Sequence, residues 1–188
     1  MKKKSKITIL EIAVFGMLGG VMYASKEIMA VLPNIHLIGT FIVTFTVVYR
    51  VKALYPIYVF VFLEGLFHGF SLWWIPYLYI WLPLWGAVML LPKKMPKWLA
   101  PVVYCLVSGL HGLSYGTLYA PFQAITAGLD FNGMLLWIAA GLRFDIYHML
   151  GNIGLGIAIC PLIELIRRCN ESIFIERAEN EQNRQLKT

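Results

Sequence analysis

Residues 36–70 read HLIGTFIVTFTVVYRVKALYPIYVFVFLEGLFHGF, two apolar runs separated by a short basic turn. The first run covers about residues 36–49, the second covers about residues 54–70, and Arg50 and Lys52 stand between them. Apolar length of this kind is typical of helices that cross a bilayer, and basic residues collect in the turns on the cytoplasmic side. The segment therefore predicts two membrane helices joined by a cytoplasmic turn.

The composition of the whole chain agrees with this interpretation. Of 188 residues, 59% are hydrophobic and 14% are charged, whereas a soluble domain carries about 25% charged residues. The chain lacks the polar surface of a soluble enzyme, and we expect a single all-α integral membrane domain over residues 1–188. Six predicted transmembrane helices cover about residues 7–24, 36–49, 54–70, 73–91, 98–119 and 142–166, followed by a polar cytoplasmic tail at 169–188.

Two of these spans need comment. The first follows four lysines and resembles a signal peptide, but five more apolar stretches follow and it carries spaced glycines, so we expect it to remain. Residues 133–166 are too long for one crossing and too short for two. We therefore divide them at Gly141, with a short apolar segment at 134–140 lying near the membrane face before the sixth span.

The distribution of basic residues predicts the orientation. Fourteen of the sixteen Lys and Arg residues fall in the two termini and in the turns after the second and fourth spans. Lys26 alone lies in an opposite loop, and Arg143 lies at the opposite end of the sixth span. Because cytoplasmic loops hold the excess of basic residues, both termini of this multi-pass membrane protein are predicted to be cytoplasmic.

With this orientation, polar residues gather at the outer ends of three spans, while the inner halves of those spans are apolar. Ionisable residues inside spans are costly, so such a cluster is a functional candidate. An aromatic stripe of Trp74, Tyr77, Trp81 and Trp85 descends the fourth span. The candidate substrate-binding residues are Glu64, His68, Trp74, Tyr77, His111, Tyr115, Arg143, Asp145, His148 and Asn152.

Structural roles are the alternative for each of these features. A single buried His or Asn is commonly a hydrogen-bonded core group, Arg143 can pair with Asp145 or Glu64, and the aromatic stripe can be ordinary helix packing. In the first span Gly16, Gly20 and Ala24 recur every four residues. Small residues at this spacing make a groove for another helix, either within the bundle or on a partner membrane protein.

The chain resembles the substrate-binding S components of energy-coupling factor (ECF) transporters over roughly residues 7–168. The resemblance lies in six spans with both ends inside, in the small residues of the first span, and in Asp145-x-x-His148-x-x-x-Asn152 at the start of the sixth. It implies capture of a vitamin or related micronutrient from outside a prokaryotic plasma membrane. Delivery would pass through a membrane coupling subunit, which docks at Gly16, Gly20 and Ala24, and would be driven by two ATPase subunits. The lack of a G-x-x-x-x-G-K-[ST] motif agrees with ATP hydrolysis by other subunits.

The residues favour a flat nitrogen heterocycle that is neutral or cationic, such as a pyridoxine-like, pyrimidine, queuine-like or cobalamin-related compound. The main alternative is a proton-coupled secondary transporter that uses Glu64 and Asp145. Enzymatic motifs are lacking, so we expect no catalytic residue. The three cysteines and four histidines lack metal-ligand spacing, and the bases are not gathered on one face. We therefore expect no metal, no cofactor and no nucleic-acid partner.

Overall fold

The structure is a computed structural model that describes residues 7–171. The four N-terminal lysines and most of the predicted polar tail at 169–188 lie outside the described residues. Within residues 7–171 the chain is helical and has no β-strand, so the prediction of an all-helical fold is confirmed for this range. The helices are α1 (Ile9–Ile28), α2 (Ile38–Tyr49), α3 (Leu54–His68), α4 (Leu82–Leu90), α5 (Leu99–Leu113), α6 (Tyr115–Ala127), α7 (Phe131–Gly156) and α8 (Ile159–Glu171).

Several of these segments can cross a membrane by their length and composition. Four helical stretches qualify, namely Ile9–Ile28, Ile38–His68, Leu72–Leu90 and Leu99–Ala127. The pair α7 and α8, bent by 51° at a short break, qualifies as a fifth. Their outward faces carry exposed Phe, Leu and Ile side chains, as expected of helices in contact with lipid. The chain is thus compatible with a multi-pass membrane protein.

The ends of α1 and α7 are fixed by their capping residues. The Thr8 hydroxyl accepts a hydrogen bond from the Glu11 amide, and the Glu11 carboxylate accepts one from the Thr8 amide, which completes a capping box. Asp130 caps α7 by accepting from the Gly133 amide, and Gly128 ends α6 in the left-handed conformation that glycine adopts without strain. Helices α6 and α7 therefore form a hairpin.

The first and third helices run parallel to each other. Glu11 pairs with Lys52 near the start of both helices, and Lys26 pairs with Glu64 near the end of both. The intervening helix α2 must therefore carry the chain back to the starting end. It ends at Arg50, whose φ of 56° turns the backbone, and the Arg50 guanidinium donates to the Met89 carbonyl of α4 at 2.6 Å.

Helices α5 and α7 pack closely and antiparallel because small residues line their contact. A Cβ atom on Gly109 would meet the Ile153 side chain, and a Cβ atom on Gly112 would meet the His148 backbone. Close backbone approach through small residues is the usual way in which membrane helices associate. This packing fixes the height of His148 relative to α5.

Two predicted helix boundaries need correction. Helix α7 continues through Gly141, so the division expected there and the separate segment at 134–140 do not exist as predicted. The helix breaks instead at 157–158, where Pro161 cannot donate to the Ile157 carbonyl and its ring collides with it. Residues 120–127, beyond the predicted end of the fifth span at 119, are also helical and belong to α6.

The aromatic segment after α3 also differs from the prediction of one helix over 73–91. Residues Leu72–Leu78 form a 3-10 helix that contains Pro76, a turn follows at 79–81, and only then does α4 begin. Because the rotation per residue changes along this segment, Trp74, Tyr77, Trp81 and Trp85 do not form one continuous stripe.

Candidate substrate-binding pocket

A pocket of about 290 Å³ lies beneath the loop that connects α1 to α2. We call it the histidine pocket. Its polar and aromatic lining consists of Lys26, Glu27, Asn34, His36, His68, Tyr77, Tyr115 and His148. Four of the predicted site residues are in this set, namely His68, Tyr77, Tyr115 and His148.

Two imidazoles and one phenol stand together in the pocket wall. The ring centroids of His36 and His148 are 5.3 Å apart, and those of Tyr115 and His148 are 4.7 Å apart. The Nδ1 atoms of both histidines are enclosed and have no hydrogen-bond partner among the described residues. Because buried polar atoms are normally satisfied, such unpaired ring nitrogens are available to a polar ligand.

Burial keeps His36 uncharged. His36 lies in the loop just before α2, where burial, reinforced by the neighbouring His148 and Lys26, lowers its pKa to about 3. At neutral pH this imidazole therefore has one donor and one acceptor nitrogen. A neutral ring of this kind can recognise both N–H groups and ring nitrogens of a heterocycle.

The indole of Trp81 lies beneath these rings. Its centroid is 5.5 Å from that of Tyr77, 5.9 Å from that of Tyr115 and 5.9 Å from that of His111. The residue is only 3% exposed, and its Nε1 atom has no acceptor within residues 7–171. Trp81 does not itself line the pocket, and it supports the rings of Tyr77 and Tyr115 that do.

The rim of the pocket is charged. Lys26 Nζ lies 2.7 Å from Glu64 Oε2, and the Glu64 side chain is completely buried. His68 stands between two carboxylates, with Nε2 at 3.6 Å from Glu27 and Nδ1 at 4.0 Å from Glu64. Since Lys26 balances Glu64, the Glu27 carboxylate leaves the rim with negative charge.

Three other predicted site residues make hydrogen bonds within the fold. His111 donates from Nε2 to the Ile80 carbonyl at 2.8 Å. Asp145 accepts from the Gly116 amide at 2.9 Å, at the junction of α5 and α6. Asn152 donates from Nδ2 to the Ser108 carbonyl at 2.9 Å, which joins α7 to α5. These bonds give each residue a structural role beside the histidine pocket.

Two further predicted site residues, Trp74 and Arg143, lie outside the histidine pocket. The Trp74 indole donates to the Val61 carbonyl at 2.7 Å and packs against Phe70. Arg143 is exposed, and its guanidinium lies over the Phe144 ring at 4.8 Å from the centroid. Neither residue is among those that line the histidine pocket.

Sequence reasoning missed the contribution of Lys26 and Glu27 at the end of α1 and of Asn34 and His36 in the α1–α2 loop. A signal was present, because these polar residues occur on the predicted outer side between two spans. Asn34 adopts a φ of 61°, a left-handed conformation that Asn tolerates better than most residues. This turn directs the chain so that His36 enters the pocket just ahead of α2.

The small residues of α1 divide between an inner and an outer face. A Cβ atom on Gly19 would lie 2.5 Å from a Val59 side-chain atom, so this glycine allows α1 to contact α3. A Cβ atom on Gly16 or Gly20 would meet nothing within 4 Å, and Ala24 is exposed. The stripe of Gly16, Gly20 and Ala24 therefore lies on the outer surface of α1. The close contact of α1 with α3 is made at Gly19 instead.

Within residues 7–171, no group of three or more His, Cys, Asp or Glu side chains is arranged to hold a metal ion. Comparison of the chain with protein-family models, with curated proteins and with solved structures gave no match. Any function proposed for the chain is therefore based on its residues and their geometry.

Proposed function

We propose that this chain is the substrate-capture subunit of an ECF-type importer in a prokaryotic plasma membrane. In this proposal it binds a vitamin-like, flat nitrogen heterocycle from outside. A separate module, made of a membrane coupling subunit and two ATPase subunits, then drives uptake. The observation that carries the proposal is the histidine pocket, which lies at one end of the bundle and is lined by Tyr77, Tyr115 and two histidines with unpaired ring nitrogens.

The chemistry of the lining supports a small aromatic ligand. The pocket volume is near the lower end of the range for small-molecule sites, which suits a compound of one or two rings. Tyr77 and Tyr115 offer faces for stacking, while His36 and His148 offer ring nitrogens for edge hydrogen bonds. Glu27 at the rim favours a neutral or cationic ligand over an anion.

The distribution of charge supports an outward-facing pocket. The opposite end of the bundle carries Arg50, Lys52, Lys93, Lys94, Lys97, Arg167 and Arg168, and an excess of basic residues marks the cytoplasmic side. The parallel directions of α1 and α3 support separate crossings for α2 and α3. Counted in this way, the five stretches that are long and apolar enough to cross a membrane give the six crossings of the proposal. Between the two ends lies a core of Ile42, Phe45, Phe60, Leu84 and Val88.

The open face of α1 supports docking of the coupling subunit. Helices approach each other closely over small residues, and Gly16 and Gly20 have free space where a partner helix can enter. Release of substrate to the inside then depends on the partner.

The test is reconstitution of the chain into vesicles, alone and with its coupling module. Small molecules that co-purify with the chain are first identified by mass spectrometry, and uptake of the identified compound is then measured. We expect binding by the chain alone and uptake only with the module and ATP. Uptake by the chain alone, driven by a proton gradient, would contradict the proposal and favour a secondary transporter.

A further inference from the structure

A second cavity lies at the opposite end of α5 from the histidine pocket. Its volume is about 470 Å³, and it is enclosed by the α4–α5 loop together with α2, α5 and α8. One wall is apolar, formed by Val47, Met95, Ala100 and Ile163. The other side carries the cations Lys93, Lys94, Lys97 and Arg167. We call it the basic cavity.

Within residues 7–171, four cations of the basic cavity form no ion pair. Among the ion pairs within residues 7–171, none involves Lys93, Lys94, Lys97 or Arg167. The lining contains one carboxylate, Glu164, which is 3.0 Å from Arg168 on the next turn of α8. An anion that enters the cavity therefore meets cations without having to displace a carboxylate.

A buried phenol supplies a second, independent indication of a ligand. Tyr104 lines the basic cavity and is only 7% exposed. Its hydroxyl makes no hydrogen bond within residues 7–171, and it is not among the enclosed polar atoms of that range, so it stays accessible from the cavity. An unused phenolic donor at this depth is suited to an oxygen acceptor of a ligand.

We propose that the basic cavity binds the phosphate headgroup of an anionic phospholipid from the cytoplasmic leaflet. Phosphate oxygens would contact the cations and the Tyr104 hydroxyl, and an acyl chain would cover the apolar wall. A free phosphate would leave the apolar wall in contact with water. A lipid would contact the cations through its headgroup and the apolar wall through its acyl chain. Basic pockets between helices on the cytoplasmic side are typical sites for such headgroups.

The position of the cavity agrees with a lipid at the membrane boundary. Trp98, next to Lys97, is 76% exposed, and exposed Trp side chains are enriched where the bilayer meets water. The inference depends on the orientation of the chain and not on transport. The lipid experiment can therefore fail without contradicting the proposed function, and the transport experiment can fail without contradicting the lipid site.

The experiment compares two lipids that differ only in headgroup. The full-length protein, purified in a neutral detergent, is mixed with equal amounts of phosphatidylglycerol and phosphatidylcholine with the same acyl chains. Native mass spectrometry counts the bound lipids, and thermal unfolding is followed with each lipid alone. We expect at least a fivefold preference for phosphatidylglycerol in the first bound lipid and a higher Tm with phosphatidylglycerol than with phosphatidylcholine.

Variants locate the site. Combined Lys94→Gln, Lys97→Gln and Arg167→Gln substitutions should remove the preference, and Tyr104→Phe, which keeps the ring, should reduce it at least twofold. Arg143→Gln changes one exposed cation at the other end of the protein and should retain it. Tyr104→Phe and the wild-type lipid comparison keep the test decisive if the triple variant does not fold.

Three results would overturn the proposal. Equal binding of both lipids to the wild-type protein would exclude headgroup recognition. An unchanged preference in the triple variant and in Tyr104→Phe would place lipid binding elsewhere. A rise in Tm with inorganic phosphate equal to that with phosphatidylglycerol, without retained lipid, would assign the cavity to a free phosphate.

Discussion

Lys26 and Glu64 form an ion pair with Nζ and Oε2 2.7 Å apart, although Glu64 is completely buried and Lys26 is partly exposed. The pair joins the end of α1 to the end of α3 at the rim of the histidine pocket. Because the Lys26 ammonium group offsets the charge of Glu64, the carboxylate can lie among apolar helices. The ion pair thus explains how this acid is held at the outer end of the fold.

Removing the cation should be more harmful than removing the acid. Lys26→Met leaves a fully buried carboxylate without its partner, and we expect it to lower the free energy of unfolding by about 3 kcal/mol. Glu64→Gln leaves a partly exposed ammonium that water can solvate, so its effect should be smaller. Equilibrium unfolding of both variants in detergent measures the difference. A larger loss for Glu64→Gln would contradict the asymmetry.

Neighbouring glycines of α1 should respond in opposite ways. Gly19→Ala places a methyl group against Val59 and the Pro56 carbonyl, and we expect it to cost about 1–3 kcal/mol of stability. Gly20→Ala meets open space and should cost nothing. The free energies of unfolding of the two variants, measured under identical conditions, test this difference.

The same pair of positions tests the proposed docking surface. Gly20→Leu should abolish association with the coupling subunit in a pull-down, while the amount of co-purified ligand per protein stays unchanged. Loss of ligand together with loss of association would assign Gly20 to internal packing. Gly19→Leu serves as the control that fails by unfolding.

Sequence patterns predicted the helical class and the end of the protein where His68, Tyr77, Tyr115 and His148 meet. Apolar length and charge bias are summed over many residues, so a local break in a helix does not change the predictions that are based on them. The patterns could not separate His148, which lines the pocket, from Asp145 and Asn152, because all three share one face of α7. Asp145 and Asn152 differ in that each makes a hydrogen bond to a backbone group of the fold.

Other details depended on tertiary contacts. The α-helix period predicts one face for the aromatic residues from Trp74 to Trp85, but the 3-10 helix Leu72–Leu78 and the turn at 79–81 interrupt that period. The Trp74 indole donates to the Val61 carbonyl instead of facing the pocket. The break in the last span follows from Pro161 and not from Gly141, which the helix accommodates in open space. The role of His36 required the loop conformation, which hydropathy does not specify.

The stability of the protein should depend on the charge of His36. Its pKa is about 3 in the folded protein and about 6.5 in an unfolded chain. As the pH falls from about 6.5 toward 3, the unfolded state binds a proton that the folded state does not, so stability decreases by up to about 1.4 kcal/mol per pH unit. Above pH 7 both states are neutral and the contribution is constant.

The measurement compares wild type with His36→Gln, since other groups also titrate in acid. We expect the unfolding free energy of the wild type to fall more steeply than that of the variant between pH 6.5 and pH 4. Parallel curves would mean that His36 is accessible to protons in the folded protein.

Ligand retention should depend on His148 and not on Trp74. His148→Phe keeps an aromatic ring but removes the unpaired Nδ1 atom, and we expect at least a tenfold decrease in the amount of co-purified ligand per protein. Trp74→Phe removes a hydrogen bond to the Val61 carbonyl outside the pocket, so it should lower stability and leave retention unchanged. Mass spectrometry of matched preparations compares them. The reverse pattern would move the binding site toward Trp74.

Asp145 distinguishes a structural acid from a proton-coupling acid. Asp145→Asn keeps an oxygen that can accept from the Gly116 amide, whereas Asp145→Ala leaves that buried amide unpaired, at a cost of about 1–3 kcal/mol. We therefore expect near-normal stability and uptake with the coupling module for Asp145→Asn, and reduced stability for Asp145→Ala. A stable Asp145→Asn protein that binds substrate but has lost uptake would indicate that the carboxylate carries a proton, as a secondary transporter requires.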